Sequence, residues 1–166
     1  MGLDMYLTKR IYVGGEYHNV TASNNKTTSG SATTYLTIDD NRYTINWKKV
    51  GSVIEEAMYW RKANAIHAWF VKNVQDGVDD CKEYWVPFDK LVELKSIVCK
   101  ILKNHDLAEK LLPTQSGFFF GGTDYDQYYF DDLENTKDNL SKIIKEYKQL
   151  TPAQQLNVSF YYESSW

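Results

Sequence analysis

Strict alternation of apolar and polar side chains at both ends of the chain constrains the fold more than any other feature. Leu3–Leu7 and Val158–Tyr162 each place an apolar residue at every second position. Because successive side chains of a strand face opposite sides of a sheet, this pattern predicts a strand at each end. A further alternating run, Tyr43–Trp47, follows a turn at Asp39–Asn41 and should pair with Tyr35–Ile38 as a hairpin.

The segments between these strands are mostly helical in pattern, with apolar residues three and four positions apart. Capping-box spacing of Ser52 and Glu55 predicts one long helix from Ser52 to Asp76, and Pro87 is well placed to begin another that runs to Lys103. A third should span Thr123–Leu150. The apolar run Gly117–Gly122 reads as a buried central strand. We therefore predict an α+β fold in which a mostly antiparallel sheet packs against three main helices.

Size and composition favour a single domain over residues 1–166. The chain has 166 residues, of which 43% are hydrophobic, and a polar, aperiodic stretch at 21–31 indicates a flexible surface loop. The start of the chain lacks the long apolar run of a signal peptide or membrane span, so we expect a cytoplasmic protein that makes no membrane contact. Cys81 and Cys99 are expected to be reduced thiols.

Charge and motif content exclude several classes of function. A net charge of −3 gives no general reason to bind nucleic acid directly, because phosphate binding normally needs clustered lysine and arginine. No spacing of His, Cys, Asp or Glu matches a zinc or iron site, so we predict no metal. No phosphate-binding or dinucleotide fingerprint is present either, and we predict no cofactor.

The first candidate site is a pocket between residues 59–67 and 114–125, suited to a small ligand. Arg61 and Lys62 suit a phosphate or carboxylate, although solvated helix-edge charges explain them equally well. The candidate ligand-binding residues of this pocket are Arg61, Lys62, Asn64, His67, Gln115, Phe118 and Tyr125.

His67 is the one weak candidate for catalysis, since an imidazole exchanges a proton near neutral pH. The favoured interpretation is a core histidine that hydrogen-bonds a neighbour such as Asn64. No accompanying nucleophile is recognisable, so the enzyme hypothesis ranks below non-catalytic binding.

The second candidate site is an acidic, tyrosine-rich face at the start of the third helix. Five carboxylates lie between residues 124 and 134 without an intervening lysine or arginine, which suits a basic surface on another protein. Ordinary first-turn charges on a solvated helix are the favoured alternative. The candidate partner-binding residues are Asp124, Asp126, Tyr128, Tyr129, Asp131, Asp132 and Glu134.

Four segments together resemble a family of small bacteriophage and prophage proteins. They are the opening Gly2–Leu7, the aromatic run Tyr59–Phe70, the segment Leu112–Asp126 and the terminal Ser164–Trp166. Members of this family are sometimes labelled phosphoglycerate kinase, but a chain of this length cannot hold the two domains that such an enzyme needs.

The resemblance implies a phage protein that acts in the cytoplasm of the infected host cell. Small phage accessory proteins often bind host factors, including defence components, so the leading expectation is a non-catalytic inhibitor of the anti-CRISPR kind. A host protein is the expected partner. A protein that sequesters a small ligand or nucleotide signal is the alternative, and the oligomeric state, including a homodimer, stays open.

Overall fold

The computed structural model describes residues 2–14, 33–38, 40–46 and 49–166. Contacts along the chain divide it into two compact units, Met1–Lys9 with Glu55–Trp166 and Arg10–Ile54. The loop predicted at 21–31 lies outside the described residues. A single domain over the whole chain therefore stays a prediction.

The described strands include a four-stranded antiparallel sheet in the order β4-β1-β6-β5. Its strands are β1 (Asp4–Tyr12), β4 (Ser52–Arg61), β5 (Tyr84–Val86) and β6 (Val158–Ser165). The strands predicted at the two ends of the chain are thus confirmed. They are neighbours in the middle of the sheet, and the alternating Leu3, Met5 and Leu7 are fully buried.

The prediction of one long helix from Ser52 to Asp76 is wrong, because its first part forms β4. Met58 and Trp60 are buried while Tyr59 and Arg61 are exposed, so this segment also has the two-residue period of a strand. Pairing with β1 in the sheet stabilises this segment as a strand, and this tertiary interaction outweighs the helical spacing of its apolar residues. Lys62 then takes a left-handed backbone (φ 59°) and ends the strand.

Five α-helices lie in the described part of the chain: α1 (Asn64–Asn73), α2 (Phe88–Lys103), α3 (Ala108–Leu111), α4 (Gln127–Gln149) and α5 (Pro152–Gln155). A short 3-10 turn, His105–Leu107, precedes α3. The prediction of a helix ending at Lys103 is confirmed. Helices α2 and α4 pack against each other. The buried residues they contribute are Leu91, Leu94, Val98 and Ile101 from α2 and Tyr129, Leu133, Thr136, Leu140, Ile143 and Ile144 from α4.

Two further differences concern the segment that leads into α4. Gly117–Gly122 is a turn rather than a strand, with the Phe120 amide donating to the Gly117 carbonyl over 3.2 Å. The N-cap of α4 is Asp126 rather than Thr123: its carboxylate accepts from the Tyr129 amide at 3.2 Å. The first difference arises because Asn64 bonds the backbone of this segment across the fold.

In the smaller unit, β2 (Thr33–Ile38) and β3 (Asn41–Asn46) form the predicted antiparallel hairpin, with Ile38 opposite Asn41. Asp40 adopts a left-handed backbone (φ 64°), which aspartate tolerates in a tight turn. The α+β class is therefore confirmed. Among the described helices, none combines the length and the apolar character needed to span a membrane.

Candidate functional site

A cleft of about 530 Å³ lies between the end of β4, the start of α1 and the first turns of α4. Residues from both candidate sites line it, although the sequence analysis treated the two sites as alternatives. The lining comprises Arg61, Lys62, Ala63, Asn64, Ala65, Ile66, Thr114, Gly121, Gly122, Asp124, Asp126, Tyr128, Tyr129, Asp131, Asp132 and Leu133. The volume falls within the range of ordinary ligand pockets.

Four of the residues that line the cleft are aspartates, Asp124, Asp126, Asp131 and Asp132. The Asp126 carboxylate caps the helix, and the Asp131 carboxylate accepts a hydrogen bond from the side-chain Nε2 of Gln127 at 2.7 Å. Asp132 is half-buried, and this burial, together with the negative charges of Asp131 and Asp126, raises the pKa of its carboxyl to about 6. These carboxylates therefore lack the neighbouring positive charge that would stabilise them.

Arg61 and Lys62 supply the positive charge of the cleft, but they do not neutralise these carboxylates. The nearest anion to Arg61 is Asp4, whose carboxylate oxygen lies 3.9 Å from the guanidinium Nε. Among the described residues, neither cation forms an ion pair with a carboxylate of the cleft. Both charge sets therefore remain accessible to a ligand.

The Lys62 side chain is held between two glycines. A Cβ placed at Gly2 would lie 3.2 Å from its Cε, and a Cβ at Gly121 would lie 3.3 Å from its Cβ. The Lys62 amide also donates to the Leu3 carbonyl over 2.7 Å. A left-handed lysine is strained by roughly 1–3 kcal/mol, so these contacts must hold it in place.

Asn64 fixes the opposite loop with all three of its hydrogen-bonding positions. Its Oδ1 accepts from the Gln115 amide at 3.0 Å, and its Nδ2 donates to the carbonyls of Phe120 (3.1 Å) and Gly122 (2.7 Å). The side chain is buried. Asn64 therefore shapes the wall of the cleft, and these bonds replace the strand ladder that was predicted for Gly117–Gly122.

His67 lies in the core and not in the cleft. It is fully buried, with its Nδ1 2.7 Å from the Tyr162 hydroxyl and its Nε2 2.9 Å from Asp79 Oδ2. Because a carboxylate only accepts, Nε2 carries the hydrogen, and in the neutral imidazole Nδ1 accepts from Tyr162. The prediction of a bond to Asn64 is wrong, since Asn64 bonds the loop.

Four further predicted residues, Gln115, Phe118, Tyr125 and Glu134, do not line the cleft. Gln115 gives only its amide, to Asn64; the Tyr125 hydroxyl accepts from the Thr114 amide at 3.4 Å. Phe118 was predicted to face the pocket, but its side chain is 95% exposed on the loop. Glu134 is an exposed residue of α4.

Sequence reasoning missed the partners of His67. Asp79 lies twelve positions away and Tyr162 ninety-five, so no local spacing links the three. Among the described residues, no group of three or more His, Cys, Asp or Glu side chains is arranged to hold a metal ion. No family model, curated protein or solved structure matches this chain.

Proposed function

We propose that this chain is a non-catalytic phage protein that inhibits a host defence or regulatory protein by holding a basic segment of it at the cleft. The observation that carries the proposal is the charge of the lining, to which four aspartates and only two cationic residues contribute. A basic segment would supply the missing positive charge, and electrostatic complementarity of this kind speeds and orients association. The phage origin and the anti-CRISPR version rest on the resemblance of the sequence.

Exposed tyrosine beside these carboxylates supports a protein partner. Tyr128 is 80% exposed although its neighbour Tyr129 is buried. Tyrosine is enriched in protein interfaces, where its ring gives apolar contact and its hydroxyl gives a hydrogen bond. The acidic and aromatic residues are thus available together on one surface.

The test is capture from host lysate by immobilised protein, comparing the wild type with two double variants. Asp124→Lys/Asp131→Lys reverses two exposed carboxylates of the cleft, and Asp138→Lys/Glu146→Lys reverses two exposed carboxylates on α4 outside it. We expect the first variant to lose the partner and the second to retain it. Equal capture by both variants would place the interface elsewhere.

A small-ligand binding protein is the second candidate, favoured by the volume of the cleft and by Arg61 and Lys62, which among the described residues form no ion pair with the carboxylates of the cleft. Its net negative lining disfavours a nucleotide. Calorimetric titration with a set of nucleotides would decide between the two. Binding with a Kd below about 10 µM that Arg61→Ala weakens tenfold would replace the host-protein proposal with this one.

The enzyme hypothesis loses the residue on which it depended. A general base must come within hydrogen-bonding distance of its substrate. His67 is fully buried and both of its ring nitrogens are already bonded, so it meets no molecule bound in the cleft.

A further inference from the structure

The loop at residues 115–122, which borders the cleft, carries an exposed aromatic side chain that does not line the cleft. Phe118 is 95% exposed, whereas Phe120, two residues further on, is buried. A fully exposed phenylalanine is costly in water, because burying such a side chain is worth roughly 1.5–3 kcal/mol. Burial in a partner would recover that free energy.

Hydrogen bonds tie the backbone of this loop to the rest of the fold at four positions. Asn64 bonds the backbone at Gln115, Phe120 and Gly122, and the Leu3 amide donates to the Phe119 carbonyl at 3.0 Å. The turn also needs its glycine, because a Cβ at Gly117 would lie 2.5 Å from the Phe120 ring.

Such a loop binds at low entropic cost. Preorganisation improves affinity because less conformational freedom is lost when the complex forms. Rigid aromatic side chains that fill a partner's pocket are typical hot spots.

Phe118 lies close enough to the cleft to belong to the same interface. It is three residues from Gly121, which lines the cleft, and three residues of chain span at most about 11 Å. A standard interface buries roughly 800 Å² on each partner, which is wide enough to include both.

We propose that Phe118 is the apolar anchor of this interface and that it inserts into an apolar pocket on a partner protein, bordered by lysine or arginine residues. The basic border is inferred from charge complementarity, since Asp124 lies in the same loop region and Asp131 lines the cleft beside it. The inference rests on the proposed function, because it describes the partner of the same surface.

Two substitutions test whether Phe118 contributes specifically to binding or only as one of several exposed apolar side chains. Phe118→Ala should weaken binding of the captured host protein at least about 30-fold, the loss typical of a hot spot. Leu156→Ala is the matched control, because Leu156 is equally apolar and 88% exposed. It should change the affinity less than threefold. Urea unfolding should show that neither substitution destabilises the fold, since neither side chain packs in the core.

Photo-crosslinking from position 118 then identifies what surrounds the ring. The full chain carrying Phe118→p-benzoylphenylalanine is irradiated in host cells, with Leu156→p-benzoylphenylalanine as control. We expect only the first to crosslink the protein whose capture needs Asp124 and Asp131, at an apolar site flanked by lysine or arginine.

The experiments distinguish failure of the Phe118 anchor from failure of the proposed function. If the Asp131-dependent partner is captured but position 118 crosslinks nothing, lipid or a second copy of this chain, the anchor is refuted and the proposed function stands. If both positions crosslink that partner equally, the anchor is also refuted. If no host protein is captured in an Asp131-dependent manner, the proposed function fails and the anchor with it.

Discussion

At the scale of single residues, the half-buried carboxyl of Asp132 carries a free-energy cost that depends on pH. Its pKa of about 6 in the folded protein exceeds the ordinary value of 3.8, so folding favours the protonated form. The fold therefore loses stability as pH rises from about 4 to 6, and the cost is complete above that range. At 1.36 kcal/mol for each pKa unit the upper limit is about 3 kcal/mol, and solvent screening reduces it to about 1 kcal/mol.

Asp132→Asn should remove this cost while preserving the shape of the side chain. We expect the variant to be about 1 kcal/mol more stable than the wild type at pH 8, with the difference vanishing near pH 4. Urea unfolding at the two pH values measures it. Glu134→Gln, on an exposed residue of the same helix, is the control. A gain of the same size at pH 4 would contradict the assigned cause.

The backbone of Lys62 gives a second prediction at this scale. Glycine adopts a left-handed conformation without strain, although it loses more entropy on folding. Lys62→Gly should therefore leave the free energy of unfolding unchanged or raise it by up to about 1 kcal/mol. Lys142→Gly, at an exposed position inside α4, should lower it by about 1 kcal/mol. Equal losses in the two variants would show that Lys62 is unstrained.

At the scale of elements, the N-terminus of α4 depends on Asp126. Asp126→Ala removes the carboxylate that accepts from the Tyr129 amide, and should cost about 1 kcal/mol. Thr123→Ala should cost less, because Thr123 contributes its backbone carbonyl to a bond from Thr114 Oγ1 (2.8 Å), which alanine retains. Thermal or urea unfolding of the two variants would rank them. The reverse order would restore the cap predicted from the sequence.

The elements that the sequence predicts well are those with one unambiguous period. Strands β1 and β6 alternate strictly, and the four apolar residues of α2 at helical spacing are all fully buried. Ser52–Arg61 has both periods at once, so only its pairing with β1 decides between them. Gly117–Gly122 was mistaken for a strand because nothing local reveals that the distant Asn64 bonds its carbonyls.

The candidate site, like the fold, could be predicted from the sequence only in part. Residue type and charge were enough to select Arg61, Lys62, Asn64 and the acidic residues, all on segments that the structure brings to one cleft. The sequence treated the two sets as alternatives, because it cannot give the distance between α4 and the end of β4. The core position favoured for His67 is confirmed, but its partners were missed because they lie on a turn and on β6, far away along the chain.

At the scale of the whole molecule, one hydrogen-bond network, buried at His67 and Tyr162 and reaching the surface at Trp166, joins α1, the turn after it and β6. His67 bonds Tyr162 and Asp79, and Asp79 also accepts from the Trp166 indole at 3.1 Å. Burial, with a smaller effect from the Asp79 charge, holds the pKa of Tyr162 well above its usual range. The hydroxyl therefore stays neutral and keeps its hydrogen.

Tyr162→Phe should cost about 1–3 kcal/mol, because it leaves Nδ1 of a fully buried histidine without a partner. The control is Tyr84→Phe, which removes a partly buried hydroxyl bonded to Asp80 at 3.0 Å and should cost less. Urea unfolding measures both. If Tyr162→Phe costs no more than Tyr84→Phe, the buried bond between Tyr162 and His67 contributes no more to the fold than the partly buried bond does, which contradicts the prediction.

The order of the strands in the sheet has a consequence for folding during translation. Strand β6 is the last of the described strands along the chain, yet it lies between β1 and β5, and it is the sole neighbour of β5 in the described sheet. Until Val158–Ser165 emerges, the nascent chain exposes unpaired edges on both strands. Long-range pairing of this kind is slow and prone to aggregation. We therefore expect the four strands of this sheet to pair only after Val158–Ser165 has been synthesised, and a chain truncated before Val158 to be prone to aggregation.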